Sequence, residues 1–220
     1  MIKIAIAGDV HGRFDLLFEK AKALGVDVLL QLGDTGIFPD PSKADPASRR
    51  HGIPLDFQPY LTGEKGVPLS TAVIQGNHED FDFLEDVLRN HNGFIAPHLW
   101  YIPNGSVLTV GGTRFGVLGG NYSSTFFSEK QPVGGKRKHF TQRQMETLRE
   151  TGFDVLLLHD GPKSEKLPKG AAVLTDFIEE TQPSRVYHGH FHWPYRTTIG
   201  KTEIIGLGHI AYGGESIVLY

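Results

Sequence analysis

Residues 2–34 read IKIAIAGDVHGRFDLLFEKAKALGVDVLLQLGD, and the spacing of their apolar residues changes twice. Residues 2–7 form an almost continuous apolar run, the mark of a buried strand. From 13 to 24, Phe14, Leu17, Phe18, Ala21 and Leu24 recur at helical spacing, and Gly25 supplies the stop. Residues 26–32 return to an apolar, partly β-branched run. Strand, short helix and strand make a β-α-β unit, whose crossover implies parallel pairing. Open sheets of this kind gather ligands at the carboxyl ends of their strands. Asp9, His11 and Asp34 stand there, and burying such groups is costly unless something positive or hydrogen-bonding meets them.

The same rhythm returns further along. A third strand over 71–75 runs into Gly76-Asn77-His78-Glu79 and a helix over 80–90. Strand 154–158 runs into His159-Asp160, and strand 185–188 into Gly189-His190-Phe191-His192. Between these units, residues 37–69 are rich in Pro, Gly and charge and read as a loop-rich insertion with a short helix near 57–61. Short β-like runs over 99–119, separated by Pro-Asn-Gly and Gly-Gly-Thr, read as antiparallel hairpins. Residues 121–139 are rich in turn formers, and Thr141 with Gln144 makes a capping box for a helix that stops at Gly152. A helix near 171–181 and three short terminal β-runs complete the pattern.

The totals bound what this arrangement can do. A chain of 220 residues, 39% hydrophobic and 21% charged, suits one domain spanning 1–220 with a single sizeable core. A formal charge of −3 provides no general attraction for polyanions, so any phosphate-rich partner must be held locally. No apolar run is long enough to span a bilayer, and the opening run lacks a signal-peptide pattern; the expectation is a cytoplasmic protein without a membrane partner. Cys is absent, which leaves only nitrogen and oxygen ligands for any metal. If the strands share one sheet edge, Asp9, His11, Asp34, Asn77, His159, His190 and His192 collect into one cluster of seven donors. That is too many for one tetrahedral ion and suits two divalent cations sharing a carboxylate.

At this point the chain resembles the calcineurin-like metallophosphoesterases, whose pattern D-x-H, G-D, G-N-H-[DE], H and G-H-x-H is met in order between residues 8 and 192. The resemblance implies an α/β fold, a four-layer αββα sandwich of two mixed sheets. It implies a binuclear centre holding two divalent metal ions (Mn, Fe, Ni or Zn, with Mn favoured), and hydrolysis of phosphate esters by a metal-bound hydroxide. Asp9, His11 and His192 would bind one metal, Asn77, His159 and His190 the other, and Asp34 would bridge; His78 would be the catalytic histidine. Within the family, residues 60–79, 92–102 and 153–162 are similar to the catalytic domain of RNA lariat debranching enzymes. This favours a phosphodiesterase, with nucleotide or RNA among its candidate substrates, over a phosphomonoesterase, a nucleotide pyrophosphohydrolase or a non-catalytic scaffold. The serine/threonine phosphatases fit less well, because their Asp-Arg pair after Gly-Asp is replaced here by Thr35-Gly36-Ile37-Phe38. His51, His91, His98 and His209 read as surface or loop residues, His188 as a strand residue outside the site, and Lys136–His139 as a solvated basic run.

Overall fold

The computed structural model describes residues 2–50, 56–129 and 132–220. Its elements are β1 (Ile4–Ala7), α1 (Phe14–Leu24), β2 (Val28–Gln31), α2 (Pro46–Arg50), α3 (Gln58–Leu61), β3 (Ser70–Val73), α4 (Phe81–His91), β4 (Phe94–Ala96), β5 (Leu99–Tyr101), β6 (Val107–Val110), β7 (Thr113–Leu118), α5 (Gln142–Thr151), β8 (Val155–Leu158), α6 (Ala172–Thr181), β9 (Arg185–His188), β10 (Tyr195–Ile199), β11 (Thr202–Gly206) and β12 (Ile217–Leu219). The described strands form two six-stranded sheets, in the orders β12-β1-β2-β3-β5-β4 and β10-β11-β9-β8-β7-β6. Each sheet has four parallel strands at its centre and an antiparallel strand at each edge.

Alternation along the strands explains the layers. Ile4 and Ile6 of β1 join Phe115, Val117, Val155, Leu157 and Tyr187 in the core between the sheets. Ala5 and Ala7 of the same strand pack instead with Phe14, Leu17 and Phe18 of α1 and with Leu84 and Val87 of α4. On the second sheet, Leu156 and Leu158 belong to the core formed with Met145 and Leu148 of α5 and Leu174, Phe177 and Ile178 of α6. Strands buried on both faces carry the near-continuous apolar runs seen in the sequence. The result is a sandwich of two sheets between two helical layers.

The capping box of α5 forms as read: Thr141 Oγ1 accepts from Gln144 N, and Gln144 Oε1 accepts from Thr141 N at 2.9 Å. Thr141→Ala leaves an orphan amide at the helix start, an expected loss of about 1 kcal/mol. In a chain of this size that lowers Tm by about 2–4 °C, readable by calorimetry.

The structure corrects the hairpin reading of 99–119. Within that stretch, only the Gly111-Gly112 link joins a hairpin, between β6 and β7. The Pro-Asn-Gly turn carries the chain from one sheet to the other, because β5 pairs parallel with β3 and β7 pairs parallel with β8. A turn signal marks a change of direction and does not say which sheet receives the next strand. β4, antiparallel to β5, is a short strand that the sequence reading does not contain. The insertion carries α2 as well as α3, and Phe57 and Tyr60 enter the core beside α1. Residues 51–55 of that insertion, including His51, lie outside the described residues.

Candidate metal centre

The loops after β1, β2, β3, β8 and β9 meet at the carboxyl edge between the sheets, and glycine makes their close approach possible. A Cβ on Gly76 would overlap the backbone N and Oδ1 of Asp34, and a Cβ on Gly189 would overlap Oδ1 of Asp9. Four candidate ligands adopt the left-handed backbone region: His11 at φ 45°, Asp34 at 49°, His190 at 67° and His192 at 55°. Non-glycine residues rarely hold this conformation, which costs of order 1–3 kcal/mol each. Its concentration here means that the surrounding packing enforces the arrangement.

The donors fall into two groups. Asp9, His11 and His192 offer ligand atoms that all lie within 4.8 Å of one another, as do Asp34, His159 and His190. In the first group, His192 Nε2 is 2.8 Å from Asp9 Oδ2 and 3.2 Å from His11 Nε2. In the second, His159 Nε2 is 3.4 Å from Asp34 Oδ1 and 3.0 Å from Asn77 Oδ1. Asp34 also reaches the first group, since its Oδ2 lies 3.7 Å from His11 Nε2. All seven residues named from the sequence are therefore brought together.

Backbone contacts fix the orientation of these side chains. His159 Nδ1 donates to the carbonyl of Leu32 at 2.7 Å, leaving Nε2 as the nitrogen that faces the cluster. Asp34 Oδ1 accepts from the N–H groups of Asn77 and His78 at 2.8 and 2.9 Å, and Asp9 Oδ1 accepts from His190 N at 3.0 Å. Glu79 accepts from Thr35 N, Thr35 Oγ1 and Gly76 N, so it braces the loop after β2 against the loop after β3. Burial, reinforced by Asp34, pushes the Glu79 carboxyl up to about 7.

The electrostatics call for positive charge. Burial works against ionisation of Asp9 and Asp34, yet facing imidazoles hold both carboxyls below the usual range. Burial should likewise favour neutral His159, but Asp34 and Asp9 raise its pKa to about 10. Two buried carboxylates with imidazole and amide donors and no thiolates fit a pair of borderline-to-hard divalent cations. Metal binding at such a site releases the protons that otherwise balance the carboxylates.

His78 stands beside the cluster, its ring 6.2 Å from that of His11. Its Nδ1 lies 2.8 Å from Oδ2 of Asp45, a residue of the insertion. Burial pushes the Asp45 carboxyl up, but the Ser48 N–H and His78 prevail and hold it below its usual value. The sequence reading assigns His78 no partner, and no local motif marks Asp45. Asp160 shapes a loop, accepting from Tyr122 N and Gly161 N, and stays outside both groups.

Other histidines divide differently. His91 and His98 are exposed as expected. His209 lies in a loop, as one of its two readings has it, but it is fully buried and stacks on His11 with centroids 5.1 Å apart, which corrects the surface reading. His188 is buried against Tyr195 Oη at 2.7 Å, and burial pushes its pKa down to about 4. In the basic run, Arg137 is bound by Asp82, Glu85 and the Phe81 carbonyl of α4, so it is part of the packing and not a solvated charge.

The chain is similar to several known proteins. A lariat debranching enzyme of Danio rerio is 27% identical over 232 residues, covering 87% of this chain and 40% of that protein. One of Schizosaccharomyces pombe is 24% identical over 237 residues, covering 90% and 50%. The chain thus spans half or less of the length of these curated relatives. Among solved structures, TT1561 of Thermus thermophilus superposes with a TM-score of 0.67 at 14% identity, covering 99% of this chain and 93% of that one. GAP50, the anchor in the inner membrane complex of Plasmodium, gives 0.56 at 12% identity, covering 98% and 74%. At such identities the two structures establish the fold alone. The calcineurin-like phosphoesterase family model matches residues 2–194, a span that takes in β1 to β9 and every loop supplying the two donor groups, and the chain belongs to that family of metal-dependent phosphoric ester hydrolases.

Proposed function

We propose that this chain hydrolyses phosphodiesters at a two-metal centre. Asp9, His11 and His192 would hold one divalent cation, Asn77, His159 and His190 would hold the other, and Asp34 is within reach of both groups. The observation that carries this reading is the pair of donor groups with Asp34 within reach of both, flanked by a histidine that has its own carboxylate partner. When bound, the two cations neutralise the non-bridging oxygens of a phosphate and lower the pKa of water, the general chemistry of binuclear hydrolases.

The chain's own residues supply the rest. Asp34 positions His78 directly, through the His78 N–H on its Oδ1. Asp45 Oδ2 accepts a hydrogen bond from His78 Nδ1 and fixes the ring orientation; with Nε2 also protonated, the imidazolium gives its Nε2 proton to the departing oxygen and is left as the neutral Nδ1–H ring. Glu79 and the Leu32 carbonyl hold the ligand-bearing loops and the His159 ring in register. Similarity to the lariat debranching enzymes, and Thr35-Gly36 in place of an Asp-Arg pair after Asp34, support a diester over a monoester.

The test compares bis(p-nitrophenyl) phosphate with p-nitrophenyl phosphate on protein loaded with Mn²⁺, the ion to try first. We expect kcat/KM to favour the diester by about tenfold or more, equivalent to about 1.4 kcal/mol, with both activities lost on chelation. A preference for the monoester overturns the diester assignment, and inactivity on both with metal bound overturns the catalytic reading.

A further inference from the structure

Two exposed aromatic residues take no part in the chemistry above: Tyr212, whose ring packs on His209 and His192, and Trp193, next in the chain to His192. Tyr212, 47% exposed, lies on His209 with centroids 4.1 Å apart and planes 17° apart. His209 lies on His11 in turn, at 5.1 Å and 12°. The three rings form a column from a proposed metal ligand to the surface. Tyr212 also meets the edge of His192 at 6.1 Å. Trp193, next in the chain to His192, is 65% exposed. Leaving so much indole in water gives up the burial that usually makes Trp worth having.

The segment that carries the column is firmly placed. Ile210 N donates to the Asp9 carbonyl, Ala211 N to His209 Nδ1 and Tyr212 N to the His209 carbonyl, while Lys20 Nζ donates to the Ile210 carbonyl at 2.7 Å. Gly214 is seated so close to the Pro194 ring that a Cβ there would clash with it, so the segments bearing Tyr212 and Trp193 pack together. The Tyr212 ring, stacked on His209, is therefore held in place before any ligand arrives, which spares the cost of ordering it on binding.

Resting on the diesterase reading, we propose that Tyr212 and Trp193 form a stacking site for a nucleobase attached through its sugar to the scissile phosphate, which makes the substrate a nucleotidyl diester. Planar π-faces beside a phosphate-binding centre match the two ends of a nucleotide, and stacking accepts any base. A long polynucleotide track is the poorer match. Such tracks are built from rows of Lys and Arg that displace counterions. This chain carries −3 overall, and Arg137 of its basic run is engaged with Asp82, Glu85 and the Phe81 carbonyl. Recognition then falls on one or two bases.

The test pairs two diesters with the same charge and leaving group, thymidine 5′-(p-nitrophenyl) phosphate and methyl p-nitrophenyl phosphate, and reads the ratio of their kcat/KM. The native protein is expected to favour the thymidine ester by about tenfold or more through KM. Tyr212→Ala and Trp193→Ala should each lower that ratio by about fivefold or more, whereas Trp100→Ala, in β5 of the first sheet, should not. A ratio that neither site variant moves overturns the proposal. Binding supplies an independent readout, because the chain has only two tryptophans. In Zn²⁺-loaded Trp100→Phe protein, thymidine 5′-monophosphate should quench Trp193 emission and inorganic phosphate should not; equal responses to the two overturn the base site. Hydrolysis of both esters at a ratio near one refutes the base site and keeps the diesterase. Quenching by the nucleotide without hydrolysis of either ester keeps the base site and refutes the diesterase.

Discussion

Asp34→Asn is expected to lower kcat/KM on a phosphodiester by about 10³-fold or more, equivalent to about 4 kcal/mol of transition-state stabilisation, and to reduce bound metal from two ions per chain to one or fewer. The side chain is almost wholly buried and serves three purposes at once. Its Oδ1 receives two backbone N–H groups from the loop after β3, its Oδ2 reaches the first donor group, and its charge draws His159 toward the cluster. Asn keeps the shape and an amide oxygen that can still accept from Asn77 N and His78 N, but it removes the charge that two cations would share. The fold should therefore survive while metal stoichiometry falls. Elemental analysis alongside circular dichroism separates the two effects. A folded Asp34→Asn protein that still holds two ions and most of its activity would remove Asp34 from the shared position.

The candidate metal donors were legible because each follows an apolar strand, and strand ends are where an α/β sheet exposes polar groups. The β-α-β rhythm of residues 2–34 located Asp9, His11 and Asp34 before any contact was known. Sheet membership was not legible over 99–119, since Leu99–Tyr101 and Val107–Val110 both read as short β-forming runs and are separated by ordinary turn residues, yet they belong to different sheets. Only the long-range pairings of β5 with β3 and of β7 with β8 distinguish them. Asp45 was hidden for a related reason. It stands 33 residues before His78 in a stretch rich in Pro and charge, and nothing local separates an acid that caps a short helix from one that also orients an imidazole. The burial of His209 within its loop was hidden because no apolar strand pattern announces it; the ring is stacked between His11 and Tyr212.

The pairing of Asp45 with His78 leads to the sharper kinetic prediction. His78→Ala is expected to lower kcat by about 10²- to 10⁴-fold, the usual worth of a positioned general acid, while both metal ions remain, because His78 belongs to neither donor group. The size of the loss should depend on the leaving group. p-Nitrophenolate departs without a proton, so a p-nitrophenyl ester should sit near the lower limit; a sugar alkoxide cannot leave unprotonated, so a dinucleotide should sit near the upper one. A loss that is equal for both leaving groups would mean that His78 acts through charge or position and not by delivering a proton. Asp45→Asn removes the carboxylate that fixes the ring and is expected to cost about tenfold to a hundredfold, in line with other groups that orient a catalytic ligand. Since Asp45 acts only through the imidazole, Asp45→Asn added to His78→Ala should cost nothing more. The coupling between the two substitutions should then equal the whole effect of Asp45→Asn, as expected for residues in direct contact. Were the two losses instead to multiply, Asp45 would be contributing through the insertion's own fold, and the contact at 2.8 Å would be incidental to catalysis.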